Sequence, residues 1–388
     1  MSKDSQKIRR VAIITGSRAE YGILRPVIRE LEKRSLDPRL IVAGMHLRPE
    51  FGSTYGQIEA DGLAIDAKVE MTIPGDDAHD MAHAIGLGVC GFAKALDAIV
   101  PDAVVVLGDR TEAFAAAIAT AGSHRLLVHI HGGEITRGGL DESMRHGITK
   151  LAHLHFTATA EARSRIIQMG ERPDRVFMVG APGIDAILNE KPLPLARLES
   201  TLGFSLRRPL LVLAQHPVST KADEASSEIR ETLEALAKTR FQTVCVYPNC
   251  DAGGQRMISV IELYRGRPWL HIVPSLAHGT YLSLLRNADV LVGNTSSGII
   301  EAPTLRLPVV NIGDRQNGRE RGHNVLDVPA KREAIARAVK RALTDEVFLR
   351  RVRREGNPYG SGNASVNIAH KLAQIRLNRD LIQKQFYS

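Results

Sequence analysis

The chain has 388 residues, 44% of them apolar and 24% charged, with a formal net charge of +8. That length accommodates two or three domains with sizeable cores, and the ordinary apolar content excludes a disordered chain. No run of 18 apolar residues suggests a membrane span, and three cysteines are too few for a disulfide framework.

The polar N-terminus (MSKDSQKIRR) lacks a signal-peptide stretch, so the expected compartment is the cytoplasm. Short apolar runs then alternate with helical patterns. Strands are predicted at Val11–Thr15, Arg39–Ala43, Ala103–Leu107, Leu126–His131, Leu154–Ala158 and Val176–Val179. Helices are predicted between them, at Ile23–Arg34, Ala78–Ile99, Glu112–Ala121, Glu142–Ala152 and Glu161–Met169. Several strands are continuous Val/Ile/Leu runs, as expected where both faces of a parallel sheet are covered. The Pro- and Gly-bearing stretch Gly180–Leu195 reads as an interdomain connection.

A second series follows, with strands at Leu210–Ala214, Gln242–Tyr247, Leu270–Val273, Val290–Gly293, Val309–Ile312 and Val325–Val328. Helices are predicted at Glu224–Lys238, Arg332–Leu343 and Glu346–Arg354, with a last one over Ser365–Gln385. The expected architecture is α/β: two Rossmann-like doubly wound domains, residues 1–185 and 196–364, with 365–388 crossing back to the first. From Lys331 onward there are 13 Lys/Arg against 5 Asp/Glu, whereas the first 330 residues balance. This surplus falls on solvated helix faces without interleaved aromatics, so neither nucleic acid nor a membrane is expected as a partner.

Ligands in such sheets bind outside the carboxyl ends of the strands, so chemistry is sought just after each one. After the first strand, Gly16-Ser17-Arg18 offers N–H groups and a guanidinium to an anion. It matches neither a P-loop nor G-x-G-x-x-G, so no nicotinamide is expected. Asp109 and Arg110 follow the Ala103–Leu107 strand, where an N-cap is the ordinary alternative. Glu134 follows His131-Gly132-Gly133, and Asp141 and Arg145 stand in the next helix, with capping again the alternative for Asp141. Three carboxylates in one cleft, Asp109, Glu134 and Asp141, suit proton transfer.

His129/His131 and His153/His155 have spacing that allows a metal but equally fits buried, hydrogen-bonded rings. Cys245 and Cys250 lack the spacing of a zinc site. In the second half His216 ends a strand. Gly293-Asn294-Thr295-Ser296-Ser297 leads into a helix that carries Glu301, and Arg315 follows the next strand. Hydroxyls and N–H groups there suit a phosphate, and a plain N-cap is the alternative.

The motifs GSRAEYG, GDRTE, HIHGGEITRGGLDESMRHGITKLAH, GNTSSGIIEAPTL and NIGDRQNGRE, between Val11 and Lys371, resemble the hydrolysing branch of the UDP-N-acetylglucosamine 2-epimerase family. The HGGE…DESMRH block is the most specific. The resemblance implies a glycosyltransferase-B-like fold with the active site in the interdomain cleft, and a homodimer or homotetramer. It implies hydrolytic epimerisation to N-acetylmannosamine and UDP, by anti elimination and water addition, for sialic or related nonulosonic acids. A UDP- or GDP-linked 2,4-diacetamido-trideoxy sugar, for legionaminic acid, is the alternative substrate.

By the same resemblance Asp109, Glu134, Asp141 and His216 are the catalytic candidates. Arg18, Arg110, Arg145, Thr295, Ser296, Ser297, Glu301 and Arg315 are the candidates for binding. No metal and no cofactor are expected. A glycosyltransferase remains a competing reading, although transfer needs no base at C2. A non-catalytic nucleotide-sugar binder is another.

Overall fold

A computed structural model describes residues 6–49, 52–71, 78–136, 140–249 and 251–388, so Cys250 lies outside the described residues. The first large sheet has seven strands: β1 (Arg10–Thr15), β2 (Asp37–Ala43), β3 (Ile65–Val69), β4 (Ala103–Leu107), β5 (Leu126–Ile130), β6 (Leu154–Thr157) and β7 (Val176–Met178). The second has six: β8 (Leu210–Ala214), β9 (Gln242–Val246), β10 (Leu270–Val273), β11 (Val290–Gly293), β12 (Val309–Ile312) and β13 (Val325–Val328). Their spatial orders are β3-β2-β1-β4-β5-β6-β7 and β10-β9-β8-β11-β12-β13, parallel throughout. Each is a doubly wound, Rossmann-like sheet whose order reverses beside its first strand, which is where such sheets open a crevice.

The apolar runs explain the layering. β4, β5 and β8 are buried along their whole length, with helices on both faces. One face of the first sheet packs Ile13, Leu24, Val105 and Phe156; the other packs Ile14, Phe92, Leu96 and Val104. The second sheet is covered likewise, by Ile229, Leu236 and Val339 on one side and by Leu284, Leu285 and Leu307 on the other. The segment His79–Ile99 is long and apolar enough to cross a membrane by length and composition, yet its Phe92, Ala95 and Leu96 are buried in the first core.

Several elements differ from the sequence reading. β3 was not anticipated: Ile65–Val69 alternates on an edge rather than forming an apolar run. Within Gly180–Leu195, residues Pro182–Asn189 form a helix begun by Pro182, and Pro182 through Ile187 are buried. Only the short stretch 190–194 links it to the helix Leu195–Leu202. Helices Gly254–Glu262 and His278–Asn287 also went unread.

The expected single helix over Ser365–Gln385 is broken. It runs from Ala364 to Gln374; Arg376–Leu377 then pairs antiparallel with Gln6–Lys7, and Asn378 caps a last turn at Arg379–Ile382. Ile368, Ala369, Leu372 and Leu381 of this return segment sit in the first domain's core. Its end is tied down by bonds from Arg175 Nη2 to Asp380 O (2.8 Å) and from Lys384 Nζ to Thr149 O (3.0 Å).

The domains meet closely where the helix Arg18–Lys33 faces the helix His278–Asn287. A side chain on Gly22 would place its Cβ 2.3 Å from Cγ of His278. Within the second domain, Gly293 (φ +128°) lets β11 end against β8, where a Cβ would lie 2.1 Å from Ala214 O.

Candidate active site

The loops after β1, β4 and β5 face those after β8, β9, β10, β11 and β12 across a cavity of about 310 Å³. That is at the small end of the range for ligand sites. The sequence candidates Arg18, Asp109, Arg110, Glu134, Arg145, His216, Thr295, Ser296, Ser297, Glu301 and Arg315 all line it. Asp141 sits in the first turn of the helix Leu140–Leu151, its carboxylate 3.5 Å from Arg315 Nη2 of the other domain.

The carboxylates are held by cations rather than used as caps. The N-cap of the helix Thr111–Gly122 is Arg110, without a side-chain cap bond, and Asp109 instead pairs with Arg145. Arg145, 1% exposed, also donates to Glu134 O (3.0 Å) and to Thr136 Oγ1 (2.8 Å). It therefore clamps the backbone that presents Glu134. The Glu134 carboxylate meets His131 Nδ1 at 2.6 Å and Arg319 Nη2 at 3.4 Å. Burial opposes its charge, yet Arg319 and His131 together hold it below the usual carboxylate range. His131 has φ +64°, a left-handed conformation unfavourable for a bulky residue, which turns the chain toward Glu134.

The histidines have partners other than a metal. His129 Nε2 meets Gly108 O at 2.8 Å, and His155 Nε2 meets Glu171 at 3.2 Å. His153 Nδ1 accepts from Leu127 N at 3.0 Å. Among the described residues no three His, Cys, Asp or Glu side chains are grouped to hold an ion.

On the second-domain side, the helix after Ser296 lasts one turn, Ser297–Ile300, and Ser296 makes no side-chain cap. Individual hydroxyl and N–H groups, rather than a long helix dipole, are what this loop offers an anion. Glu301 is buried and its Oε2 lacks a hydrogen-bond partner. Burial raises its pKa, partly offset by His131 and Ser297. Such an acceptor suits the hydroxyls of a ribose. His216 is fixed at its backbone by Asn294: its N–H donates to Asn294 Oδ1 (2.6 Å) and its carbonyl accepts from Nδ2 (2.9 Å). Burial, with Arg315 and Arg110, drives its pKa well down, so it is a neutral ring.

Four polar groups here were missed from sequence. Arg319 lay within a quoted motif, and its spacing after Arg315 was the available signal. Glu20 and Glu112 are buried beside Arg110; burial pushes Glu20 up to about 7, with Arg110 opposing and Glu112 adding. Glu20 accepts from Gly16 N at 2.7 Å, and Glu112 pairs with Arg110 at 3.3 Å. Asp251, after β9, faces Arg110, Asp141 and Arg315, and nothing local distinguished it from a turn residue.

The family model described as UDP-N-acetylglucosamine 2-epimerase matches residues 29–373. The chain belongs to that family, in its hydrolysing branch. It is 37% identical to the UDP-N,N'-diacetylbacillosamine 2-epimerase (hydrolyzing) of Legionella pneumophila, over 97% of this chain and 99% of that protein. It is 34% identical to the polysialic acid biosynthesis protein P7 of Escherichia coli, over 98% and 97%. Among solved structures, UDP-GlcNAc 2-epimerase from Neisseria meningitidis bound to UDP-GlcNAc superposes with a TM-score of 0.80 at 20% identity, covering 94% of this chain and all of that one. That likeness fixes the glycosyltransferase-B-like fold. The chain is an enzyme that epimerises nucleotide sugars.

Proposed function

We propose that this enzyme hydrolyses UDP-N-acetylglucosamine with inversion at C2, giving UDP and N-acetylmannosamine. The observation that carries the reading is one cavity lined by Asp109 and Glu134, bordered by Asp141, and facing Glu301, Ser297 and His216. The C2 proton is not acidic, so its removal must accompany departure of the diphosphate. One carboxylate takes that proton, the C2–H electrons form the C1=C2 bond, and the C1–O electrons leave with UDP. Water then adds oxygen at C1, and a proton returns to C2 from the opposite face. Arg18, Arg315 and the hydroxyls of Thr295, Ser296 and Ser297 neutralise the leaving diphosphate, with Arg110 alongside. His216, a neutral ring, contributes a hydrogen bond rather than a positive charge. Glu301 accepts from the ribose.

A second substrate, a UDP-linked 2,4-diacetamido-trideoxy sugar, is favoured by the 37%-identical Legionella relative, whose name carries that activity. Proton NMR in deuterated water tests both. UDP release with C2-deuterated N-acetylmannosamine supports the first reading. Turnover of the diacetamido substrate alone moves the assignment to the second. Inertness toward both rejects the reaction.

A further inference from the structure

We infer that Asp251 is a positioning residue for His216, acting through Asn249. Asp251, Gly253 and Gly254 make a tight turn at the start of the helix Gly254–Glu262. Gly254 N donates to Asp251 O at 2.8 Å, and Gly253 sits at φ +93°. A Cβ on Gly254 would come within 2.4 Å of Asn249 O, so that carbonyl rests directly over the glycine. From the other side, the Asn249 amide Nδ2 donates to the Asp251 carboxylate. Held between the two, Asn249 directs its backbone N–H at His216 Nδ1, 3.1 Å away.

A ring nitrogen that accepts carries no proton, so the neutral His216 ring keeps its proton on Nε2. The backbone of His216 is pinned separately by Asn294. Asn249 is therefore the group that selects the tautomer, and Asp251 is what fixes Asn249. Burial raises the Asp251 pKa; Arg110 opposes this and Asp141 adds to it. A carboxyl accepting from an amide serves here whether ionised or not, since an acceptor oxygen remains in either state. Outer groups that fix the tautomer of a metal-ligating histidine are worth about 10–100-fold in activity, and the same order is expected for this metal-free donor.

The inference rests on the reading of His216 as a hydrogen-bond donor to the leaving diphosphate, but its test does not. The full-length protein labelled with 15N-histidine is examined by NMR at neutral pH without substrate, and the His216 signals are assigned by their loss in His216→Gln. The expected result is an Nε2-protonated ring in the wild type and in Asp251→Asn, which still accepts from Asn249. Asp251→Ala is expected to populate the Nδ1-protonated form, to lose about 10–100-fold in kcat and to bind UDP more weakly, since the Nε2–H donor to the diphosphate is lost. Gly254→Ala pushes Asn249 from the opposite side; it gives the same tautomer shift and serves if Asp251→Ala does not fold. An unchanged tautomer in the folded variants overturns the inference. A shifted tautomer with undiminished turnover upholds the positioning and instead removes His216 from the reaction.

Discussion

Arg319 reaches from the second domain to within 3.4 Å of Glu134 Oε2 in the first, and both side chains are almost wholly buried. The Glu134 carboxylate of one domain is therefore charge-balanced by the other. With Arg319→Gln, the strongest charge holding the Glu134 pKa down is lost and only His131 and His129 still lower it, so its value rises. Activity that needs the ionised carboxylate is then lost at a higher pH than in the wild type as the solution is acidified. The acidic limb of the kcat/KM–pH profile is expected to move upward, with a loss on the order of 10²-fold at neutral pH. An unmoved limb would detach Arg319 from Glu134.

Glu134→Gln keeps the shape of the side chain and removes its charge. Turnover is expected to fall to background while UDP still binds, because most of the residues proposed to hold the nucleotide lie on the other side of the cleft. Calorimetry with UDP, alongside NMR of the reaction, separates the two. Undiminished epimerisation would remove Glu134 from the mechanism.

Glu301 has an oxygen without a partner, and in the proposed complex a ribose hydroxyl would supply one. Glu301→Ala is expected to weaken UDP binding by about 1–3 kcal/mol, the worth of a hydrogen bond to a charged group in a buried setting. Titration of UDP gives the value directly; an equal dissociation constant would contradict the role.

Glu20 makes stability pH-dependent. Burial raises its pKa from 4.5 to about 7, so between those values the fold keeps a proton that the unfolded chain has released. The stability contributed by this group is present below pH 4.5 and is lost as pH rises through 7. Glu20→Gln is expected to melt with the wild type at pH 4 and above it at pH 8. Thermal unfolding at the two pH values checks this, and parallel curves would show that Glu20 is not protonated in the fold.

Much of the scaffold was legible because fully buried strands write themselves as Val/Ile/Leu runs. β4, β5 and β8 appear in the sequence at almost the residues they occupy. β3 was not legible, since an edge strand with one wet face mixes Asp66 and Lys68 into its pattern. The helix Pro182–Asn189 was masked by the Pro and Gly that open it. In the site, the residues flanking strand ends could be named one by one, but their partners could not. Asp109 looked like a cap, and only the fold sets Arg145 against it. Arg319 and Glu134 lie 185 positions apart in the chain, and Asp251 faces Asp141 from another domain. Such pairings are made by topology, and no local spacing records them.

The chain passes between the domains twice, outward through 190–194 and back through 355–363 before the helix Ala364–Gln374 rejoins the first core. One crossing would act as a ball joint and leave the halves free to twist about it. Two tethers side by side define a line, and a line permits opening like a book but resists torsion. Arg319 and Arg315 are thereby held in one register opposite Glu134 and Asp141, so the alignment of charges across the cleft is set by the covalent path of the backbone itself.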